Sequence, residues 1–102
     1  MIKVKLKRHD NLKDVEVSGH ALFAEFGKDV VCAGVSSIVI GALNALGELT
    51  DYNTDQVTIK EGYVHIPDIF DDPQVQLVLN TMVVQLNTVW QSFPEYMDIS
   101  IV

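Results

Sequence analysis

The sequence predicts an α+β fold, a two-layer sandwich in which a mainly antiparallel sheet packs with two helices in the order ββαββαβ. Three observations carry this expectation. Both ends of the chain alternate apolar and polar residues, as strands with one buried face do. Two long apolar segments, near 30–49 and 73–93, have the length and spacing of helices. Between them lie two short β-rich runs around a Glu-Gly turn. With 102 residues, 48% of them apolar, the chain has material for one core and one domain, residues 1–102.

In order along the chain, Ile2, Val4 and Leu6 alternate with Lys3, Lys5 and Lys7, which predicts the first strand. The turn residues His9, Asp10 and Asn11 follow, and 12–17 returns as the second strand of a hairpin, ended by Ser18 and Gly19. Residues 20–28 fit neither period and read as a loop. Asp29 then has the chemistry of a helix N-cap, a carboxylate able to accept from first-turn N–H groups. The helix it opens, about 30–49, is apolar nearly all round, which predicts a central, buried element. Ala33, Gly34, Gly41, Ala42 and Ala45 keep it slim enough for another backbone to approach. After a polar turn at 50–54, the runs 57–59 and 63–66 predict a hairpin around Glu61 and Gly62. Asp71-Asp72-Pro73 is a helix start, with an acidic cap and then proline where its missing N–H costs nothing. Val75, Leu79, Met82, Val83, Leu86 and Trp90 follow at helical spacing until Pro94 stops the helix, and 96–102 closes the sheet.

Charge and composition exclude several functions. The net charge is −7, and all seven cationic residues fall at or before Lys60, with six acidic residues and no Lys or Arg from Glu61 onward. Direct nucleic-acid binding draws on clustered Lys and Arg, so this balance argues against it. The N-terminal MIKVKLKRHD lacks the unbroken apolar core of a signal peptide, and the single cysteine allows no internal disulfide, so a cytoplasmic setting is expected. The apolar run 30–46 sits at the bottom of the membrane-spanning range without a cationic flank, and a buried helix is the better reading than membrane insertion. One cysteine and three scattered histidines make no metal site, and no metal or cofactor is expected.

The chemistry concentrates between His20 and Cys32. With Asp29 as the cap, Cys32 falls at the third helical position, where backbone N–H groups and the helix dipole favour a thiolate. A lone cysteine can equally serve as a small core hydrophobe. His20, just past the second strand and after Gly19, is placed to act as the base that a cysteine nucleophile needs. His9 sits in a polar turn, and His65 alternates with Val64 and Ile66 as a surface or packing residue. Asp29 has a second reading, orienting His20. Ser36 shares a helix face with Cys32 and can bond sulfur, His20 or its own backbone. Leu22, Phe23 and Phe26 make the intervening loop apolar, either as a lid over a substrate or as packing against the core. On the second helix, Leu77 and Val84 lie off the main stripe, and a homodimer would bury them.

Gly19-His20-Ala21 followed by Gly27-Lys28-Asp29-Val30-Val31-Cys32-Ala33-Gly34-Val35-Ser36 resembles the ribosomal-processing cysteine protease family, Prp, and the resemblance extends over essentially the whole chain. It implies a Cys-His endopeptidase that removes a short N-terminal extension from a ribosomal large-subunit protein precursor. It further implies Cys32 as nucleophile, His20 as general base, Asp29 and Ser36 as supporting polar positions, a mobile His-to-Cys loop, a homodimer, and cleavage after an aromatic residue in an apolar segment. The acidic surface suits a basic ribosomal substrate. The rival from another class is a non-catalytic, ribosome-associated dimeric binding module, for which Cys32 would be dispensable.

Overall fold

The computed structural model describes residues 1–19 and 30–102 of the chain. Five strands and two long helices appear: β1 (Ile2–His9), β2 (Asn11–Ser18), α1 (Val30–Leu49), β3 (Thr58–Lys60), β4 (Tyr63–Ile66), α2 (Pro73–Ser92) and β5 (Met97–Ile101). The predicted order ββαββαβ is therefore the observed one, with an additional 3₁₀ turn at Thr54–Gln56, where the Asn53 side chain accepts from the Asp55 N–H. His20, Leu22, Phe23, Phe26 and Asp29 lie outside the described residues, so the loop reading of 20–28 and the capping role of Asp29 do too.

The sheet order is β3-β4-β2-β1-β5. Three neighbouring pairs are antiparallel, and β1 with β5 is parallel. Alternation along β1 decides which face is covered. Ile2, Val4 and Leu6 are buried while Lys3, Lys5 and Lys7 are exposed. Register carries the same face across the sheet, since Val4 opposes Val17, Leu6 opposes Val15, and Val15 opposes Ile66. Both helices cover this side, so their buried residues join those of the sheet in one core. β2 runs parallel to β3, and β4 parallel to β5, as the pairings require. Each helix is thus the crossover between two parallel strands and returns the chain to the starting end of the sheet.

Local chemistry sets the helix bounds. The Asp72 carboxylate accepts from the N–H groups of Gln74 and Val75, and Pro73 takes the first helical position. At the other end Phe93 N–H donates to the Val89 carbonyl. The Gln76 side chain clamps α2 to β2, accepting from Leu12 N–H at 3.0 Å and donating to the Leu12 carbonyl at 2.8 Å. At the tip of the first hairpin Asp10 turns the chain with φ 63°, a left-handed conformation that Asp tolerates.

One expectation is corrected. The apolar composition of α1 predicts a central, buried helix, although one small sheet need not cover every face of it, and α1 is indeed long and apolar enough to cross a membrane. In the fold only one stripe is buried, Val31, Val35, Val39, Ala42, Leu43 and Leu46. Ala33, Ser36, Ser37, Ile40 and Gly41 are exposed. A two-layer sandwich leaves every helix an outer side, and α1 fills that side largely with small residues, which need no cover. Within the described residues no backbone approaches Gly34 or Gly41, since a Cβ at either would meet nothing within 4 Å, which leaves both positions open to another chain. On α2, Leu77 and Val84 are exposed, as their off-stripe positions predict.

Candidate active site

β1 begins, β2 ends, β3 ends and β4 begins at the same end of the sheet, and α1 starts above it. Cys32 is the third residue of α1, so the helix start carries the thiol to that end. It is half-buried and packs against the core. A cleft of about 220 Å³ opens beside it. Val17, Val35, Val39 and Val64 give it an apolar interior, while Ser36, Ile40 and Ile59 also line it. Ser36 stands one helical turn after Cys32 on the same face, as expected, and reaches the same cleft. The first turn of α1 lies where N–H groups have no carbonyl partner earlier in the helix, a geometry suited to an oxygen that gains negative charge.

Gly19 follows the last residue of β2 at the mouth of this cleft, immediately before His20 in the chain. Its φ of +94° is in the left-handed region, and its N–H donates to the Gly62 carbonyl at 2.9 Å. A Cβ there would stand 2.3 Å from the Met1 carbonyl oxygen, so the position requires glycine for both conformation and space. The point from which the chain leaves toward His20 is therefore fixed by β1 and by the β3–β4 turn. At the rim, the Tyr63 hydroxyl donates to Glu16 Oε2 at 3.1 Å. Desolvation first, and then the Glu16 carboxylate, hold this phenol above its ordinary pKa.

The other histidines stand apart from Cys32. His9 is exposed at the end of β1. His65 lies on the open face of the sheet, with Nε2 2.8 Å and 3.0 Å from the two carboxylate oxygens of Asp14. Among the described residues no group of three or more His, Cys, Asp or Glu side chains could hold a metal ion. The structure thus brings Cys32 and Ser36 together on one cleft, and the lining residues Ile40, Ile59 and Val64 are those that sequence reasoning does not single out. For Ile59 and Val64 the only sequence signal is alternation in a short strand, which does not say which helix the strand will face, and Ile40 is one apolar residue among many in α1.

The fold is a small α+β sandwich that sets one thiol at a helix start beside an apolar cleft, an arrangement suited to a cysteine nucleophile. The family model described as Cysteine protease Prp matches residues 1–98. The chain is 37% identical over 102 residues to the ribosomal processing cysteine protease Prp of Staphylococcus aureus, covering 93% of each. It is 32% identical over 108 residues to the Bacillus subtilis protein of the same name, covering 98% of this chain and 96% of that one. It superposes on the crystal structure of the essential ribosomal processing protease Prp from S. aureus in complex with a covalently linked product peptide, with TM-score 0.93, 31% identity and complete coverage of both chains. This chain belongs to the Prp family of cysteine proteases.

Proposed function

We propose that this protein is the cysteine endopeptidase that removes the N-terminal extension of a ribosomal large-subunit protein precursor, with Cys32 as nucleophile and His20 as general base. The observation that carries the reading is the placement of the only thiol at the start of α1, on the cleft, in a chain of a cysteine protease family. The relative crystallised with a covalently linked product peptide supports a covalent mechanism.

In this mechanism His20 takes the proton from Sγ of Cys32, and sulfur attacks the carbonyl carbon of the scissile peptide. N–H groups of the first turn of α1 hold the resulting oxyanion. Collapse breaks the C–N bond, the imidazolium gives its proton to the departing amine, and the N-terminal part stays on sulfur as a thioester. His20 then deprotonates a water, which attacks the thioester, and the thiol is regenerated with release of the new carboxylate. Asp29 supports the site by capping α1 or orienting His20, and Ser36 by its hydroxyl on the same helix face. Leu22, Phe23 and Phe26 form the substrate-binding loop that closes over an aromatic substrate side chain.

The same reading includes a homodimer acting in the cytoplasm. Exposed Leu77 and Val84, together with the groove between α1 and α2 that Leu77 lines, supply apolar area for self-association. The test is direct. The source organism's precursor is incubated with the wild-type protein and with Cys32→Ala and His20→Ala, and the products are read by intact mass. A single cut after an aromatic residue, lost in both variants, is the expected result. Cleavage that survives Cys32→Ala, or an intact precursor with folded wild type, overturns the assignment.

A further inference from the structure

We infer that the protein holds its peptide substrate as an added strand along the outer edge of β3, with alternate substrate side chains entering the cleft beside Cys32. The inference rests on the protease reading above and specifies how that site takes its chain. β3 stands at one end of the sheet order and pairs only with β4 among the described residues. Among the described residues its outer side therefore presents backbone N–H and C=O groups of the kind an extended peptide completes. β5 is the other edge, but no residue of it lines the cleft that holds Cys32, whereas Ile59 and Lys60 of β3 do.

Side-chain direction singles out Ile59. It opposes Val64 in register, and Val64 opposes Val17, so Ile59 points to the helix-covered face. It is nevertheless 59% exposed, because α1 does not extend over the sheet edge. Ile40 of α1, on the other side of the same cleft, is 41% exposed. A strand added to β3 would set every second side chain on that face, between Ile59 and Ile40, and would turn the intervening side chains to the open face beside Thr58 and Lys60. This geometry selects an extended segment with apolar residues at alternating positions, and it brings a backbone carbonyl along the cleft that Cys32 lines.

Hydrogen-bond alternation gives the test. Only every second residue of an added strand bonds to the neighbouring edge, whether the strands run parallel or antiparallel. A synthetic peptide spanning the precursor's processing junction is titrated by calorimetry into the full-length Cys32→Ala protein, then again with N-methyl groups placed one residue at a time. Strand addition predicts that methylation at alternate residues weakens binding by at least about tenfold while the residues between change it by less than about threefold. Ile59→Asp, at a side chain that is 59% exposed, is expected to weaken the unmethylated peptide by about tenfold while leaving the urea unfolding midpoint close to wild type. Absence of binding, or losses without alternation, overturns the inference. If wild type cleaves the peptide while alternation is missing, the edge assignment fails and the protease reading stands. Alternation without cleavage by wild type refutes the protease reading and leaves the edge assignment in place.

Discussion

Replacing Gly19 with alanine would strike the junction between fold and site. An alanine at φ +94° costs about 1–2 kcal/mol from the left-handed backbone alone. Its Cβ would also stand 2.3 Å from the Met1 carbonyl oxygen, a backbone atom that must move. That oxygen belongs to the same peptide unit as the Ile2 N–H, which donates to the Tyr96 carbonyl at 2.9 Å and ties β1 to the start of β5. Rotating the unit sacrifices this bond, worth about 1 kcal/mol. The sum is roughly 2–3 kcal/mol, a large share of the roughly 5–15 kcal/mol that holds a small domain. With a urea m-value of about 1.5 kcal/mol/M, the unfolding midpoint of Gly19→Ala should fall by about 1.3–2 M with m unchanged. Precursor cleavage should fall further than the folded fraction does, because Ile2 and Gly19 both line the cleft. A variant within about 0.5 kcal/mol of wild type and equally active would refute the argument that this position is pinned from both sides.

Three further outcomes follow from packing, capping and ionisation. Asp72→Ala removes the acceptor for the Gln74 and Val75 N–H groups and should cost about 1 kcal/mol, read from urea unfolding. Leu46→Ala empties a fully buried position of α1 and should cost about 2–5 kcal/mol by the same measurement. Burial, the largest cause, pushes the Tyr52 phenol from its ordinary 10.0 up to about 12. The folded state therefore favours the protonated phenol, whose contribution is intact below pH 10 and is lost as pH rises toward 12. Wild-type midpoints should decline from pH 9 to 11 more steeply than those of Tyr52→Phe, which lacks the group; parallel curves would contradict this.

The parts of the fold legible in the sequence are those with local causes. Alternation in Ile2, Val4 and Leu6 gives β1 and its buried face, and Asp72-Pro73 gives the start of α2 because cap and proline act within one turn. The bounds of α1 are also as read, Val30–Leu49, while its burial is not. Composition reports how apolar a helix is, and only the layer arrangement decides how many of its sides are covered. Strand order is the second gap. Nothing local to Thr58–Lys60 says that it will sit at an edge beside α1, since that follows from β4 pairing with β2 across a long separation. The site divides the same way. Cys32 and Ser36 share a helix face by simple spacing, whereas the cleft that joins them to Ile59 and Val64 exists only once the sheet has formed.

In the proposed mechanism Cys32 attacks the substrate and carries its N-terminal part as a thioester. The most direct test mixes wild-type protein with the junction peptide, quenches in acid on the millisecond-to-second scale, and weighs the intact protein. A transient mass gain equal to the acyl part of the peptide is expected, located on the fragment containing Cys32, the only cysteine in the chain, and absent in Cys32→Ala. Cleavage that proceeds without any adduct and persists in Cys32→Ala would contradict it.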